Sequence, residues 1–387
     1  MGSRIIVVQP ECKDRTGHHY AAIRSLEHAI APAKPIFCIH RGASETLELA
    51  KDRTIRHFAG RISGLVGTPS DEALSASSGV RSLGDLFDRL AIGPNDHLVF
   101  LSTSAETVLA ILHLLQPRNP EMLPHCHLRF LGDERRQDLE NTAHRLLNDF
   151  GCRTPRLHLY TEYAACVREV LKHYHSNPFE LSRLPTLWPD EINSEDDSGC
   201  DLWFTVGVLG QPRRDKGKYR LGPIFAEFFK QRRKANIQYP LKVLIQNDRR
   251  LHRALRLRAS LAAKVRMEIG RVHFAAADMS SQAFVSTMRQ CDVILLPYIP
   301  DTYQKRGSGI VIDAVAHGIP LVCTTGTAMC ELIDCGNGLT ASNNEEFVHC
   351  LMTVAAGRDR FRLAARDAAR RAHDWQSDSL LGALRNV

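Results

Sequence analysis

The chain of 387 residues is 44% hydrophobic and 24% charged, a composition typical of a globular protein with room for two domains. It contains no run of about 18 uncharged apolar residues, which excludes a transmembrane helix of ordinary length. The apolar run near its start ends at a proline and an acid, so we expect no signal peptide and a cytoplasmic protein.

The cysteine content and the net charge indicate which ligands and partners the protein is expected to bind. The 11 cysteines include no CxxC pair, so we expect reduced thiols and no bound metal. The net charge of +7 suits anionic partners, either nucleotide phosphates or lipid headgroups at the inner face of a membrane that the protein contacts peripherally. Basic and aromatic residues do not interleave as in RNA-binding sheets, so nucleic acid is not an expected partner.

Short apolar runs alternate with helix-length segments through the first half of the chain. This alternation predicts a parallel sheet covered by helices on both faces. A segment rich in serine and glycine, residues 63–80, is predicted to be a loop. The predicted strands are residues 4–8, 35–39, 97–101, 128–131 and 156–160, and the predicted helices are residues 18–31, 105–115, 138–150 and 162–174.

A second alternation follows residues 185–201, where prolines, acids and small polar residues indicate an interdomain linker. Together the two sets predict an α/β protein with two Rossmann-like domains, residues 1–190 and 200–370, that face a central cleft. Ligands are expected beyond the carboxyl ends of the strands. The second set of strands is predicted at residues 201–206, 241–245, 272–274, 293–296 and 320–323, with helices at residues 219–234, 251–263, 281–289 and 309–317.

The predicted strand at residues 293–296 leads into a segment that we expect to bind an anion. It ends next to Tyr298, and after a polar loop a helix is predicted to begin near Ser308 and Gly309. Free N–H groups at a helix start attract phosphate, and a glycine lets phosphate approach the backbone closely. Asp313, one turn into the helix, could accept hydrogen bonds from ribose hydroxyls.

This segment resembles the signature of the family 4 retaining glycosyltransferases, whose fold is called GT-B. The family signature reads E-G-x-G-x-x-x-x-E-A-x-A-x-G-x-P-V-V, and residues 306–322 here read R-G-S-G-I-V-I-D-A-V-A-H-G-I-P-L-V. The resemblance implies that Asp313 holds the ribose of the donor. It also implies that Ser308, Gly309 and Ile310 bring backbone amides to the donor diphosphate.

The first acidic position of the signature is replaced in this chain. Arg306 is the best match to it, and the spacing from Arg306 to Asp313 is one residue shorter than in the family. A subgroup of bacterial members reads Tyr-x-x-x-x-Ser-Gly in this loop, and the stretch from Tyr303 to Gly309 resembles that version. We therefore expect Tyr303, Arg306 and the nearby Tyr298 to belong to the donor site.

A basic turn follows the first predicted strand of the second domain. Its sequence, G-Q-P-R-R-D-K-G at residues 210–217, resembles the family's G-x-x-R-x-x-K-G turn. The resemblance implies that Lys216 and either Arg213 or Arg214 hold the donor phosphates. Fixed cations would stabilise the charge that develops on the leaving diphosphate, a task that other transferases give to a metal ion.

Two further stretches resemble family elements. Gly17 and His18 follow the first strand and resemble a glycine-histidine turn that touches the donor phosphates or the acceptor in GT-B enzymes. Either His18 or His19 could therefore reach the reacting centre. The end of the chain resembles the family's closing helix, which implies that residues 371–387 pack back on the N-terminal domain.

The resemblance implies a retaining glycosyltransferase of the hexosyltransferase class, with a UDP- or GDP-type nucleotide sugar as its donor substrate and no cofactor. The acceptor is expected to be a glycan, a lipid-linked intermediate or a protein in the synthesis of bacterial surface glycans. A sugar-nucleotide epimerase with the same fold and a non-catalytic GT-B protein that binds a partner are the alternatives. The oligomeric state is left open.

Overall fold

The computed structural model describes residues 2–15, 18–62, 77–131, 137–167, 179–191, 203–211, 213–235, 240–246, 271–333, 335–377 and 379–387. The chain divides into two units. The first comprises Met1–Leu184 together with Trp375–Val387, and the second comprises Pro185–Asp374.

The first unit contains a parallel sheet of seven strands in the order β3-β2-β1-β4-β5-β6-β7. Its strands are β1 (Arg4–Gln9), β2 (Ile36–His40), β3 (Thr54–Phe58), β4 (Asp96–Thr103), β5 (His125–Phe130), β6 (Leu157–Thr161) and β7 (Phe179–Leu181). Its helices are α1 (His18–Ala29), α2 (Ser78–Leu90), α3 (Ala105–Leu115), α4 (Gln137–Gly151) and the C-terminal helix Ser379–Arg385.

Helices cover this sheet, and β1 and β2 are accordingly near-continuous apolar runs. Leu83, Leu112 and Leu147, from α2, α3 and α4, belong to one hydrophobic cluster with side chains of β1 and β4. The C-terminal helix contributes three leucines with no exposed surface, and Arg385 donates a hydrogen bond to the carbonyl of Ala29 at 2.7 Å. The end of the chain is therefore part of the first unit.

The second unit contains a parallel sheet of six strands in the order β10-β9-β8-β11-β12-β13. Its strands are β8 (Phe204–Val208), β9 (Leu241–Gln246), β10 (Arg271–Ala275), β11 (Val293–Leu296), β12 (Leu321–Thr324) and β13 (Gly338–Ala341). Its helices are α5 (Lys218–Lys234), α6 (Ser281–Arg289), α7 (Pro300–Tyr303), α8 (Gly309–Ala316), α9 (Asn344–Ala356) and α10 (Arg358–Ala372). None of the helices in the described part of the chain is long and apolar enough to cross a membrane.

The two sheets confirm the predicted α/β class, and several elements have their predicted bounds, among them β11, α3 and α6. The predicted helix at residues 162–174 is different: its described part contains only the 3₁₀ turn Ala164–Val167. The predicted loop at residues 63–80 ends earlier than expected, because α2 begins at Ser78. The predicted helix at residues 251–263 lies outside the described residues.

Three strands were not predicted, and all three are edge strands: β3, β7 and β13. β3 carries the sequence TIRHF and most of its side chains are partly or fully exposed. β7 and β13 have only three and four residues. Edge strands face solvent on one side and are often short, so they lack the apolar run that marks an inner strand of a parallel sheet.

The start of the second unit lies inside the segment that was predicted to be a linker. The backbone N–H of Thr186 donates to Asp313 at 2.6 Å, and the His317 ring nitrogen Nε2 is 3.0 Å from the carbonyl oxygen of Leu187. Asp313 lies on α8, and His317 is the C-cap residue of that helix. The unit boundary therefore falls before Pro185 rather than after residue 190, because these residues are bonded to the second sheet's own helix.

Candidate functional site

The basic turn and the loop after β11 meet in the second unit. β8 and β11 are neighbouring parallel strands, so the segments that follow them leave the same edge of the sheet. The backbone N–H of Ile299 donates to the carbonyl of Asp215 at 2.9 Å, and the Tyr303 hydroxyl donates to the Asp215 carboxylate at 3.2 Å. Two motifs that lie about 80 residues apart in the sequence thus form one local structure.

Gly217 makes this contact possible. Its φ is +69°, in the left-handed region that favours glycine. A Cβ at this position would overlap the carbonyl oxygen of Pro297. The turn can therefore rest against the end of β11 only with glycine at position 217.

Lys216 lies at the centre of the joined motifs. Its Nζ is 5.6 Å from the ring centroid of Tyr298, and a Cβ added to Gly210 would come within 2.7 Å of it. Burial lowers the pKa of Lys216 to about 8, and the positive charges of Arg213 and Arg306 act in the same direction. A bound anion would offset all three effects, because it favours the charged amine.

Two arginines complete a group of three cations. Arg213 donates to the Asp215 carboxylate at 3.2 Å and keeps half of its side chain exposed. The guanidinium of Arg306 lies 5.6 Å from the ring centroid of Tyr303. Arg214, by contrast, is exposed and takes part in none of these contacts. The structure thus brings Arg213, Lys216 and Arg306 together around a single carboxylate, an arrangement that suits a ligand with more than one negative charge.

Tyr298 and Tyr303 form the apolar wall of this site. Both are 2% exposed, and their ring centroids are 4.5 Å apart. Burial raises the pKa of Tyr298 well above its ordinary value and that of Tyr303 to about 12, since the phenolate is poorly solvated there. Both phenols therefore stay neutral near pH 7.

Helix α8 begins beside the three cations. Ser308 is its N-cap residue and has extended backbone, but its side chain makes no capping hydrogen bond. The space above Gly309 is open, with no heavy atom within 4 Å of a Cβ placed there. Ile310 packs directly on Gly210, where any larger residue would overlap it. The predicted start of the helix is thus held next to the basic turn, and an anion has room to approach it.

Ribose binding suggests an exposed acidic residue, whereas Asp313 is buried. It is 3% exposed. Each of its carboxylate oxygens accepts one hydrogen bond from Thr186, from the backbone N–H at 2.6 Å and from the hydroxyl at 2.9 Å. We did not predict a role for Thr186, because it lies among prolines and acids that indicate a linker.

The predicted residues of the first unit surround the N-terminus of α1. Gly17 lies outside the described residues. His18 is exposed, and its ring packs on that of His19 with centroids 3.9 Å apart. Burial lowers the pKa of His19 to about 4, with Arg61 acting in the same direction. His19 is thus held in its neutral state near pH 7.

Neighbouring strand ends hold His19 in place. The side-chain amide of Gln9, the last residue of β1, donates to Nδ1 of His19 and lies 3.3 Å from the Ser102 hydroxyl on β4. Nε2 of His19 is 3.7 Å from a carboxylate oxygen of Glu11. We did not predict Gln9 or Ser102, although each is a polar residue at the end of an apolar strand, where ligands of such sheets bind.

No metal site emerges from the described residues: among them, no group of three or more histidine, cysteine, aspartate or glutamate side chains is arranged to hold an ion. The charged side chains that the structure places together at the joined motifs are Arg213, Lys216, Arg306 and Asp215.

No protein-family model matches the chain, and no curated protein matches it significantly. Solved structures do match. Sucrose-phosphate synthase from Thermosynechococcus elongatus has a TM-score of 0.61 at 14% identity, over 97% of this chain and 95% of that chain. Anabaena Alr3699/HepE, in complex with UDP and glucose, has a TM-score of 0.63 at 12% identity, over 99% and 97%. WaaG, a glycosyltransferase involved in lipopolysaccharide biosynthesis, has a TM-score of 0.57 at 13% identity, over 99% and 97%.

These neighbours match nearly the whole chain with both of its sheets, and they are GT-B glycosyltransferases. The predicted GT-B fold is therefore confirmed. Since the identities are between 11% and 14%, the likeness extends to the fold and not to any substrate.

Proposed function

We propose that the protein is a retaining glycosyltransferase, of the hexosyltransferase class, that binds a nucleotide sugar on its second unit. The observation that carries this proposal is the convergence of Arg213, Lys216 and Arg306 beside the start of α8. A nucleoside diphosphate is the part of such a donor that needs several cations and backbone N–H groups at one place.

The same cations suit the chemical step. As the bond between the sugar and the diphosphate breaks, negative charge grows on the leaving group. Cations that are already in position stabilise this charge without reorganising, and they are most effective when partly removed from water, as Lys216 is. On this reading Arg213, Lys216 and Arg306 take the part that a divalent metal plays in other transferases.

The pattern of residues favours a direct displacement on one face of the sugar. Arg306 occupies the position of the first acidic residue in the family signature, and an arginine side chain cannot form a covalent glycosyl intermediate. Arg306 would instead contact the diphosphate or the transferred sugar. Retention then requires that the acceptor hydroxyl attack from the side on which the diphosphate leaves.

A UDP-type donor is the first choice for the test. Three neighbouring structures are complexes with UDP and glucose, with UDP-glucose or with UDP-2-fluoro glucose. Asp313 would accept hydrogen bonds from the ribose hydroxyls, in addition to those from Thr186. A GDP-type donor uses the same diphosphate contacts, so both are to be tried.

We assign the acceptor to the first unit, with His19 as the group nearest the reacting hydroxyl. His19 is neutral near pH 7, and because its Nδ1 accepts from Gln9, its proton lies on Nε2, which can donate a hydrogen bond to the acceptor. The acceptor class that we propose is a glycan, a lipid-linked intermediate or a protein of bacterial surface glycan synthesis. WaaG, with its role in lipopolysaccharide biosynthesis, is an example of this fold in such a pathway.

Helix α10 supports the idea of a peripheral membrane contact for such an acceptor. Arg360, Arg366 and Arg370 are exposed along it, and Leu363 between them is 61% exposed. Basic residues around an apolar one suit the surface of an anionic bilayer. Cosedimentation with vesicles should rise with their anionic lipid content, and substitution of the three arginines by glutamine should reduce it.

Incubation with a panel of UDP-, GDP- and dTDP-sugars tests the proposed activity. A glycosyltransferase releases nucleoside diphosphate from at least one donor, slowly by hydrolysis and faster when its acceptor is present. An epimerase would convert the donor to another sugar nucleotide without releasing diphosphate. If no donor raises the melting temperature and none is turned over, the protein is a non-catalytic member of the fold and the proposal is wrong.

A further inference from the structure

Two cysteines share one hydrogen-bond acceptor at the end of β12. Cys323 lies in the strand and is fully buried, whereas Cys330 lies in the following 3₁₀ turn (Ala328–Leu332) and is partly exposed. The Cys330 sulfur is 3.4 Å from the carbonyl oxygen of Thr324, and the Cys323 sulfur is 3.8 Å from the same atom. The two thiols are therefore neighbours, although seven residues separate them in the sequence.

The turn surrounds the Cys330 sulfur with groups that favour its thiolate. The Cys323 thiol can donate to it, and so can the backbone N–H groups of Gly326 and Thr327, while the Thr327 hydroxyl oxygen lies 3.6 Å away. The Cys323 thiol contributes most, and together these donors lower the pKa of Cys330. Burial and the adjacent Cys330 raise the pKa of Cys323, so Cys323 keeps its proton.

We propose that Cys330 and Cys323 form a peroxide-sensitive thiol pair, in which Cys330 reacts first and Cys323 then closes a disulfide. The pair combines an accessible nucleophilic sulfur with a buried partner sulfur in contact, which is the arrangement that reversible thiol oxidation requires. Cys38, Cys126 and Cys291 differ because burial raises their pKa and leaves their sulfurs inaccessible.

The chemistry balances with hydrogen peroxide as the oxidant. The Cys330 thiolate attacks one peroxide oxygen, the O–O bond breaks, and hydroxide leaves and is protonated to water. Cys330 is then a sulfenic acid. The Cys323 sulfur attacks the sulfenic sulfur, the S–S bond forms as the S–O bond breaks, and the Cys323 proton leaves with that oxygen as a second water.

A disulfide here would act on the candidate donor site. The Thr324 hydroxyl donates to the carbonyl of Tyr298 at 2.7 Å, and the Thr327 hydroxyl donates to the carbonyl of Thr324 at 2.8 Å. Drawing Cys330 onto Cys323 disturbs this chain of bonds, so we expect weaker donor binding after oxidation. This consequence rests on the proposed function, whereas the reactivity of the two cysteines does not.

Mild peroxide treatment followed by mass spectrometry tests the thiol pair without reference to activity. Cleavage after Arg306 and after Glu331 separates Cys323 and Cys330 from Cys291 and Cys335. We expect the peptide with Cys323 and Cys330 to lose two hydrogens before any other cysteine is oxidised, and a thiol reductant to restore them. Cys152, which is exposed, serves as the internal reference.

Variants identify the order of the two steps. Cys330→Ser should abolish the oxidation of Cys323, and Cys323→Ala should leave a sulfenic acid on Cys330 that dimedone traps. Because Cys323 is buried, the Cys323→Ala protein is first checked by circular dichroism. In the wild type, iodoacetamide should modify Cys330 faster than Cys152 at pH 6.5. The proposal is overturned if Cys152 reacts first with both reagents, or if the disulfide joins Cys330 to Cys335.

Discussion

Asp313 and Thr186 form a two-point contact in which the backbone N–H and the hydroxyl of Thr186 each donate to one carboxylate oxygen, at 2.6 and 2.9 Å. One turn later, Nε2 of His317, the C-cap residue of α8, lies 3.0 Å from the carbonyl oxygen of Leu187. Helix α8 thus carries Asp313, the residue expected to bind ribose, and also binds the first residues of the second unit. Asp313 therefore has a structural role in addition to the proposed one in donor binding.

Substitution at the two ends of this contact separates these roles. Asp313→Ala removes an acceptor from two donors and from the ribose, so it should lower the free energy of unfolding by about 1–3 kcal/mol and weaken UDP binding by at least about tenfold. Thr186→Val removes only the hydroxyl, so it should cost about 1 kcal/mol and leave UDP affinity within about twofold. Calorimetry and urea unfolding measure both quantities. Unchanged UDP affinity in Asp313→Ala would refute the ribose role.

The pKa of Lys216 predicts how nucleotide binding depends on pH. Its free amine titrates at about 8, so the group is charged below that pH and increasingly neutral above it. Binding of a diphosphate needs the charged form. UDP affinity should therefore fall as the pH rises above 8, by up to about tenfold per pH unit.

Lys216→Arg provides the matched control, because an arginine stays charged throughout this range. Its UDP affinity, whatever its value at pH 7, should change little between pH 7 and 9. The same slope in Lys216→Arg as in the wild type would show that another group is responsible.

Two glycines of the second unit should respond to alanine in opposite ways. Gly217→Ala places a Cβ on the carbonyl oxygen of Pro297 at a φ of +69°, so it should destabilise the protein by roughly 2–4 kcal/mol. Gly309→Ala meets no atom within 4 Å and improves helix propensity, so stability should hold or rise by up to about 1 kcal/mol. The added methyl group does, however, fill the space proposed for phosphate, so Gly309→Ala should bind UDP more weakly. Wild-type affinity in Gly309→Ala would place the phosphate elsewhere.

The two adjacent histidines of α1 should differ in their effect on turnover. His19→Ala should lower the rate of donor turnover by at least about tenfold, since His19 is held by Gln9 and faces Glu11. His18→Ala, at an exposed position, should change the rate by less than about twofold. Rates of nucleoside diphosphate release at saturating donor give the comparison, and equal losses in the two variants would contradict it.

Acid stability provides a second measurement on His19. Its pKa is about 4 in the folded protein and 6.5 ordinarily, so between these values the unfolded chain binds the proton and the folded chain does not. The wild type should therefore lose stability as the pH falls from 6.5 to 4, and His19→Gln should lose less. Urea unfolding at pH 7 and pH 4.5 tests this, and identical losses would mean that His19 is not buried as described.

Much of the fold could be predicted because parallel strands with both faces covered are continuous apolar runs. β11 and the helices α3 and α6 have the bounds that the pattern predicted. The signature around α8 also located the helix start correctly, since small residues after a polar loop favour an N-terminus. Three of the four edge strands, β3, β7 and β13, were missed because they are short or have mixed sequences.

The contacts between distant segments could not be predicted. Arg213, rather than Arg214, belongs to the cation group because it bonds to Asp215. The position of Asp215 depends in turn on its hydrogen bonds with Ile299 and Tyr303. The same holds for Thr186, which meets Asp313 only after the chain has folded. Such pairings depend on tertiary packing, which local sequence patterns do not encode.

The central claim is that Arg213, Lys216 and Arg306 hold the diphosphate of a nucleotide sugar. Calorimetric titration of UDP and GDP into the wild type and single alanine variants tests it most directly, with Arg214→Ala as the control. We predict that the wild type binds at least one nucleotide, that each of the three variants weakens binding by at least about tenfold, and that Arg214→Ala stays within about twofold. Failure of the wild type to bind either nucleotide, or an equal loss in Arg214→Ala and Lys216→Ala, would contradict the claim.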